Sequence, residues 1–128
     1  MSREGYLRTA SSEYKVDRTA LNNDYIHLTN NAVQKNSPNY GTFEDGNQLS
    51  FSYFDNYLQN DSLKTSILPK MKYYAGLTMA SARKKLNPNR RKQCFEIFGF
   101  DYIIDSELNV WLIEVNTNPC IEESSKLL

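Results

Sequence analysis

FEIFGFDYIID (residues 95–105) and LIEVNTNP (residues 112–119) are two largely apolar segments in which polar side chains occur where a buried strand normally has none. If residues 106–109 form the turn between them, the two segments pair as an antiparallel hairpin. Simple pairing then places Asp101 directly opposite Glu114. The hairpin is therefore predicted to carry two carboxylates side by side on one face.

Asn116 extends this polar face, because side chains alternate along a strand and Asn116 lies two residues beyond Glu114. The same register adds Ile103 and Leu112 to the face. The opposite face is expected to hold Phe100, Tyr102, Ile113 and Val115. The hairpin is expected to be covered on both faces. The two carboxylates then repel each other and lose hydration, which is costly unless a cation or a proton neutralises them.

Two carboxylates and an amide form an oxygen-rich ligand set that suits Mg²⁺, which usually keeps some water ligands and often shares a nucleotide's phosphates. The residues alone therefore favour a magnesium–nucleotide site at Asp101, Glu114 and Asn116. The alternative is that the two acids lie at a sheet edge or pair with basic residues elsewhere in the chain.

The composition is that of an ordinary globular domain. The 128 residues are 40% hydrophobic and 23% charged, and the formal net charge is zero, so no nucleic acid or membrane partner is expected. No apolar run is long enough to span a bilayer, and no signal-peptide pattern opens the sequence. Cys94 and Cys120 are therefore expected to be free thiols in a reducing cytosol.

The segment RKKLNPNRRK (residues 83–92) has six basic residues in ten. One interpretation is a solvated helix end, whose cations complement the helix dipole, followed by an exposed turn. The other is a docking surface for an acidic protein segment, in which Arg90 and Arg91 would contact the substrate. The sequence leaves both interpretations open.

Helices and antiparallel strands without regular alternation predict an α+β fold. Residues 25–28 are expected to be extended, residues 36–48 form an irregular loop rich in turn residues, and residues 49–59 form a short helix. The main helix is predicted over residues 69–86, with proline in its first turn. Its packing stripe comprises Met71, Ala75, Thr78, Ala82 and Leu86.

A nucleotide also needs donors for its phosphates and a basic side chain that counters charge in the transition state. Arg8, followed by Thr9 and two serines, is a candidate for the basic group. His27, Thr29 and Asn30 are candidate neutral donors and acceptors. The sequence has neither a Walker nor a Rossmann glycine loop, and it has no G-x-S-x-G elbow for an esterase or peptidase.

Four blocks of the sequence resemble consecutive blocks of the tubulin tyrosine ligase family, an ATP-grasp group that adds amino acids to tubulin. They are YLRTASSEY (6–14), HLTNNAVQK (27–35), NYGTFEDGN (39–47) and FEIFGFDYIIDSELNVWLIEVNTNP (95–119). The resemblance implies the C-terminal lobe of a partial ATP-grasp fold, in which a mainly antiparallel sheet is packed by helices. It also implies ATP and Mg²⁺ as cofactors.

The resemblance assigns roles to several side chains. The family's magnesium ligands correspond to Asp101, Glu114 and Asn116, of which Glu114 is also placed at the catalytic centre. Positions that line its nucleotide site correspond to His27, Thr29 and Asn30, with Ile113 placed to pack on the adenine ring. Arg8 corresponds to an arginine that faces the phosphates and the acceptor carboxylate, and Lys35 is a further candidate for substrate contact.

The implied reaction is ATP-dependent amide bond formation. A carboxylate of the tubulin C-terminal tail attacks the γ-phosphorus of ATP, giving an acyl phosphate and ADP. The amino group of a free amino acid then attacks the acyl carbon, and phosphate leaves. Arg8 would stabilise the acyl phosphate and the tetrahedral oxyanion, so that the protein positions and polarises without a side-chain nucleophile.

The family pattern also contains upstream lysines, an upstream strand and closing helices that have no counterpart here, so residues 1–128 are expected to be an incomplete domain, truncated at both ends. The isolated chain is accordingly expected to be inactive. Two functions follow: the catalytic half of a longer ligase, or a non-catalytic tubulin-binding or regulatory fragment that uses the basic segment. The intact acid pair favours the first.

The block from Asn39 to Leu58 resembles tyrosine-adding ligases, whereas the NTNPC and FEIFGFDY blocks also occur in the glutamate- and glycine-adding members. Tyrosine or glutamate is therefore the expected amino acid, with a preference for tyrosine. The tubulin substrate implies a cytoplasmic location on the microtubule cytoskeleton or in a cilium.

Overall fold

The computed structural model describes residues 5–119, which divide into two compact units, residues 5–57 and residues 58–119. Each unit combines helices with one two-stranded antiparallel sheet, which confirms the predicted α+β class. Within residues 5–119, no helix has both the length and the apolar content that a bilayer crossing requires.

The unit of residues 5–57 consists of short elements joined by turns. Its elements are strand β1 (Tyr6–Arg8), helix α1 (Asp24–His27), helix α2 (Asn31–Gln34), a 3₁₀ turn (Asp45–Asn47), strand β2 (Gln48–Ser50) and helix α3 (Phe51–Leu58), which ends at the unit boundary. Strands β1 and β2 pair antiparallel. The buried side chains of this unit are mostly polar, and they are Ser11, Ala20, Gln34, Ser37, Asn47 and Gln48.

The unit of residues 58–119 is a helix packed on a hairpin. A π-helical turn (Leu63–Ile67) leads into helix α4 (Leu68–Ala82), and the hairpin consists of strands β3 (Gly99–Ile104) and β4 (Val110–Asn116). Its buried core is apolar and comprises Leu63, Ile67, Met71 and Val110. The phenolic hydroxyl of Tyr102 in β3 donates a hydrogen bond to the backbone carbonyl of Met71 at 2.8 Å, which ties the hairpin to the helix.

The prediction of an extended segment at residues 25–28 is wrong, because helix α1 begins at Asp24. The side-chain oxygen of Asn23 accepts a hydrogen bond from the Tyr25 amide at 3.0 Å and caps the helix. Asparagine is among the strongest helix N-caps. This local hydrogen bond outweighs the strand preference of the Tyr-Ile pair that follows it.

The main helix lies where the sequence predicts it, but it ends four residues early, at Ala82. Four of the five predicted stripe residues are buried or half-buried, and they are Met71, Ala75, Thr78 and Ala82. The fifth, Leu86, follows the helix and is 36% exposed. Asn87 precedes Pro88 and has a φ of +45°, and the residue before a proline disfavours helical backbone, so the helix cannot continue through this point.

The hairpin pairs Asp101 with Glu114, as the sequence predicts. A β-bulge follows this pair, so that Tyr102 is opposite Leu112 and Ile103 is opposite Trp111. The predicted faces are therefore partly wrong. Trp111, and not Leu112, shares the face of the carboxylates, whereas Leu112 shares the face of Tyr102 because paired residues point to the same side of a sheet.

The turn explains the bulge. The carboxylate of Asp105 accepts hydrogen bonds from the amides of Glu107 and Asn109, at 3.0 Å and 2.8 Å, and Leu108 adopts a φ of +60°. This closed turn sets the pairing of the residues beside it. The strand ends pair in a register that differs by one residue, and the bulge takes up the extra residue, Ile113.

The hairpin is covered on one face only within the described part of the chain. Alternate residues of β3 (Phe100, Tyr102 and Ile104) are half-buried, whereas Asp101 and Ile103 between them are exposed. The expectation that both faces are covered is therefore wrong for residues 5–119. Within the unit of residues 58–119, Asp101 and Glu114 are exposed, so burial on that face does not cost these carboxylates their hydration.

Candidate functional site

Three predicted magnesium ligands converge at the open end of the hairpin. The side-chain amide nitrogen of Asn116 donates to Oδ2 of Asp101 at 3.1 Å and to Oε1 of Glu114 at 3.2 Å. Strand pairing sets Asp101 beside Glu114, and the period of two along β4 puts Asn116 on the same face. One amide nitrogen thus lies between two carboxylates.

This nitrogen occupies the space between the two carboxylates, where a cation bound by both could lie. An amide donor between two acids partly offsets their repulsion, and rotation of the same amide turns its oxygen toward the same point as a third ligand. Among residues 5–119, no group of three or more His, Cys, Asp or Glu side chains is arranged to hold a metal. A set of two carboxylates and an amide oxygen instead fits Mg²⁺, which needs few protein ligands when phosphates and water complete its shell.

Three apolar side chains near the carboxylates along the two strands are exposed. Ile103, Trp111 and Ile113 are 57%, 58% and 62% exposed. The indole Nε1 of Trp111 donates to Oδ2 of Asp105 at 3.0 Å, which orients the ring. This bond is the main reason why the pKa of Asp105 is lowered, and hydrogen bonds from Asn109 and Glu107 lower it further. The face therefore combines carboxylates with exposed apolar surface, and Ile113, predicted to contact adenine, is exposed beside Glu114.

Arg8 lies at the end of β1 and is exposed. Its Nη2 donates to the hydroxyl of Tyr6 at 3.0 Å, and its guanidinium carbon lies 5.6 Å from the centre of the Tyr6 ring. The tyrosine orients the guanidinium through a hydrogen bond and a cation–π contact. No acidic side chain appears among these contacts of Arg8, so the guanidinium has donors to offer an anion.

His27 has a structural contact in this chain. Its Nε2 lies 2.9 Å from the carbonyl oxygen of Ala20, so the ring donates at this atom, and its ring meets that of Tyr14 edge-on with centres 6.2 Å apart. Thr29 is half-buried in the turn after α1. Asn30 is exposed at the N-terminal end of α2, where its side chain makes no capping hydrogen bond.

The remaining predicted contacts are exposed. Lys35 follows α2 directly, at its C-cap. Arg90 and Arg91 lie in the loop after α4, which Asn87 organises by accepting from the Arg91 amide and donating to the Arg91 carbonyl, both at 2.8 Å. The basic segment is thus an ordered loop that presents its cations to solvent.

The predicted site residues fall on both units. Those of residues 58–119 are Asp101, Ile113, Glu114, Asn116, Arg90 and Arg91, and those of residues 5–57 are Arg8, His27, Thr29, Asn30 and Lys35. Direct hydrogen bonds connect Asp101, Glu114 and Asn116. Arg8 and His27 instead hydrogen-bond to Tyr6 and Ala20.

The structure adds two polar residues that the sequence analysis did not single out. Gln34 is 0% exposed and Asn47 is 5% exposed, and both side chains hydrogen-bond in the interior of the unit of residues 5–57. A local signal existed for Asn47 only, because it follows Asp-Gly in a turn sequence and has a φ of +53°. Nothing in the local sequence pattern indicates that Gln34 is buried, because it resembles an ordinary polar residue on the surface of a helix.

Comparison with known proteins identifies the relatives of this chain. The model of the tubulin-tyrosine ligase family matches residues 1–128. Tubulin glycylase 3B of Tetrahymena thermophila is 34% identical over 97% of this chain and 10% of its own length. Tubulin polyglutamylase TTLL5 of Homo sapiens is 36% identical over 92% of this chain and 10% of its own length.

Probable tubulin polyglutamylase TTLL9 of Bos taurus is 31% identical over 97% of this chain and 26% of its own length. The chain therefore spans between a tenth and about a quarter of these relatives. The family model matches residues 1–128, a range that includes the sequence blocks at residues 6–14 and 95–119 that resemble this family. The chain belongs to the tubulin-tyrosine ligase family.

Proposed function

We propose that this chain supplies the magnesium-binding part of a ligase that uses ATP to join an amino acid to tubulin. The observation that carries the proposal is the convergence of Asp101, Glu114 and Asn116, with one amide nitrogen 3.1 Å and 3.2 Å from the two carboxylates. The relatives named above as tubulin glycylases and polyglutamylases support the substrate.

In this proposal the three side chains of the hairpin bind Mg²⁺ and through it the phosphates of ATP. The ion would offset the negative charge between ATP and the attacking tail carboxylate, as in other phosphoryl transfers. Trp111 and Ile113 form the exposed apolar surface next to the ligands, suited to the flat base or ribose of a nucleotide.

Arg8 would bind the phosphates, the acyl phosphate and the tetrahedral oxyanion that follows it. Tyr6 orients the guanidinium through a hydrogen bond and a cation–π contact. The guanidinium offers several donors in one plane, an arrangement that suits the oxygens of phosphates and carboxylates. Thr29 and Asn30 would line the nucleotide, and Lys35 would contact the substrate. His27, whose Nε2 donates to the carbonyl of Ala20, would line the nucleotide with them.

The amino acid added is proposed from the relatives. The sequence blocks favour tyrosine or glutamate, whereas the relatives matched are glycine- and glutamate-adding enzymes by name. Glutamate is common to both lines of reasoning and is the amino acid we propose first. Comparing the incorporation of labelled glutamate, glycine and tyrosine into tubulin by the longest natural form of the protein would decide among the three.

A second function, binding without catalysis, is favoured by the ordered basic loop. Asn87 holds the loop with two hydrogen bonds to Arg91, so its cations are presented on a formed surface. Such a surface suits the acidic C-terminal tail of tubulin. This activity would place the protein on cytoplasmic or ciliary microtubules whether or not ligation occurs.

The only tryptophan of the sequence lies on the face of the proposed metal ligands, so its fluorescence tests the proposal directly. We expect Mg-ATP to change the emission of Trp111 and to shield it from acrylamide. Glu114→Gln should abolish this response, because it removes one charged ligand. Glu96→Gln makes the same chemical change at an exposed acid outside the hairpin and should retain it.

Two results would reject a Mg-ATP site on the hairpin, and a third would reject its magnesium alone. One is a wild-type chain whose emission does not change with Mg-ATP at millimolar concentration. The other is a Glu114→Gln variant that responds as the wild type does. A response to ATP without Mg²⁺ that equals the response with it would reject the metal but keep the nucleotide.

A further inference from the structure

Two buried amide side chains connect the segments that carry Arg8 and Thr29. We propose that Gln34 and Asn47 are positioning residues, which hold Arg8 and Thr29 in the arrangement that the ligase site needs. The functional role of the two residues in this inference rests on the proposed function. Its geometry rests on hydrogen bonds within the unit of residues 5–57.

Gln34 joins the backbone after β1 to the backbone before Thr29. Its Oε1 accepts a hydrogen bond from the amide of Ser11 at 2.9 Å. Its Nε2 donates to the carbonyl of Tyr25 at 3.2 Å and to the carbonyl of Leu28 at 2.6 Å. Leu28 directly precedes Thr29, so the glutamine is bonded one residue from a proposed nucleotide contact.

Asn47 holds the other side of the same junction. Its backbone carbonyl accepts from the amide of Thr9 at 3.0 Å, and its Nδ2 donates to the Thr9 carbonyl at 3.2 Å and to Oγ of Ser11 at 2.9 Å. Its Oδ1 accepts from the amide of Gly41 at 2.8 Å. Both backbone polar groups of Thr9 are therefore bonded to Asn47. Because Thr9 directly follows Arg8, these bonds hold the backbone next to Arg8.

The polar atoms, and not only the volumes, of these side chains are needed. An apolar side chain of equal size at Gln34 would fill the space but leave one amide and two carbonyls without this partner. The bonds also cross long stretches of sequence, 23 residues from Ser11 to Gln34 and 36 residues from Ser11 to Asn47. They therefore fix segments that the local chain does not bring together.

The test compares variants of the full chain by NMR, with Mg-ATP affinity as the functional measurement. Gln34→Leu removes the hydrogen bonds and keeps the bulk. Asn47→Gly removes the side-chain bonds and tolerates the positive φ, whereas Asn47→Asp keeps the acceptor for Gly41 and loses the donors. Asn36→Ala is the control, because its exposed amide bonds only the carbonyl of Ala32.

We expect the backbone amide signals of Arg8 and Thr29 to shift in Gln34→Leu and Asn47→Gly but not in Asn36→Ala. Asn47→Asp loses the donors to Thr9 and Ser11 and should therefore shift the Arg8 signal as Asn47→Gly does. We also expect the dissociation constant for Mg-ATP to rise roughly tenfold or more in Gln34→Leu, because small displacements of binding groups are costly. A purely structural role would lower stability without this change in affinity among the folded molecules.

Unchanged Arg8 and Thr29 signals in both Gln34→Leu and Asn47→Gly would overturn the inference, as would an unchanged affinity for Mg-ATP. If Gln34→Leu does not fold, the comparison of Asn47→Gly with Asn36→Ala decides in its place. A wild-type chain that does not bind Mg-ATP would contradict the proposed function, and the NMR signals would still decide whether the two amides position Arg8 and Thr29.

Discussion

The hydrogen bond from Tyr102 to Met71 gives a quantitative test of how the candidate hairpin is held on helix α4. Tyr102→Phe removes the hydroxyl and keeps the ring. The carbonyl of Met71, in the first half of α4, also accepts the ordinary helical hydrogen bond from the amide four residues later. It is therefore not left without a partner, and the expected loss is about 1 kcal/mol of unfolding free energy.

The assay is urea unfolding followed by the fluorescence of Trp111, which lies in the same unit as Tyr102. With a denaturant slope of about 1–3 kcal/mol per molar for a small protein, the midpoint should fall by about 0.3–1 M. Tyr73→Phe is the matched control. Tyr73 is 63% exposed on the same helix, so its midpoint should remain close to that of the wild type.

The pH dependence gives a second, independent measure of this bond. Burial raises the pKa of Tyr102 above the ordinary value of 10.0, and the ionised oxygen cannot donate to Met71. A raised folded-state pKa means that the contribution is complete below pH 10 and is lost as the pH rises through the folded pKa. The difference between wild type and Tyr102→Phe should thus be constant from pH 6 to 9 and decrease above pH 10. Equal midpoints for Tyr102→Phe and Tyr73→Phe at pH 7 would refute the reasoning.

Three further predictions concern the hairpin turn, the core and the basic loop. Asp105→Asn should lower the urea midpoint at pH 7, because hydrogen bonds, chiefly from the Trp111 indole, hold the pKa of Asp105 below its usual value of 3.8. This contribution is complete above the unfolded pKa and is lost as the pH falls through the lowered folded pKa, so the difference from wild type should disappear in that range. Ile67→Ala should cost about 2–5 kcal/mol, because the side chain is 0% exposed, and calorimetry or urea unfolding would show a smaller loss for Ile67→Val. Replacing Arg90 and Arg91 together by glutamine should weaken binding to acidic tubulin-tail peptides and flatten its salt dependence, whereas equal affinity at low salt would exclude the loop as a docking surface.

Much of the candidate site follows from short-range rules. The face that Asp101 and Glu114 share was predictable from the alternation of side chains along a strand. Their pairing was predicted from a turn at residues 106–109, whereas the strands end at Ile104 and begin again at Val110, and the bulge restores the predicted pair. The position of Asn116 follows from the same alternation. The amphipathic stripe of α4 was predictable for a similar reason, since a repeat of 3.6 residues is visible in the order of its side chains.

The errors have local causes that compete with those rules. At residues 25–28 the strand preference of Tyr and Ile was weaker than a single capping bond from Asn23. In the hairpin, the hydrogen bonds of Asp105 set the strand register near the turn. The pair Asp101 and Glu114 lies in a register that differs from it by one residue. The resulting bulge moved Leu112 off the face of the carboxylates and placed Trp111 there.

The sequence alone determined the family, the α+β class and the acid pair. Each of these depends on motifs or on short periodic patterns, which can be read from the order of the residues. The positions of Gln34 and Asn47 are of a different kind. Their partners at Ser11 lie 23 and 36 residues away in sequence, and no periodic pattern specifies which buried amide meets which backbone group. That choice depends on how the loops pack, because most buried polar groups find their partners only in the folded unit.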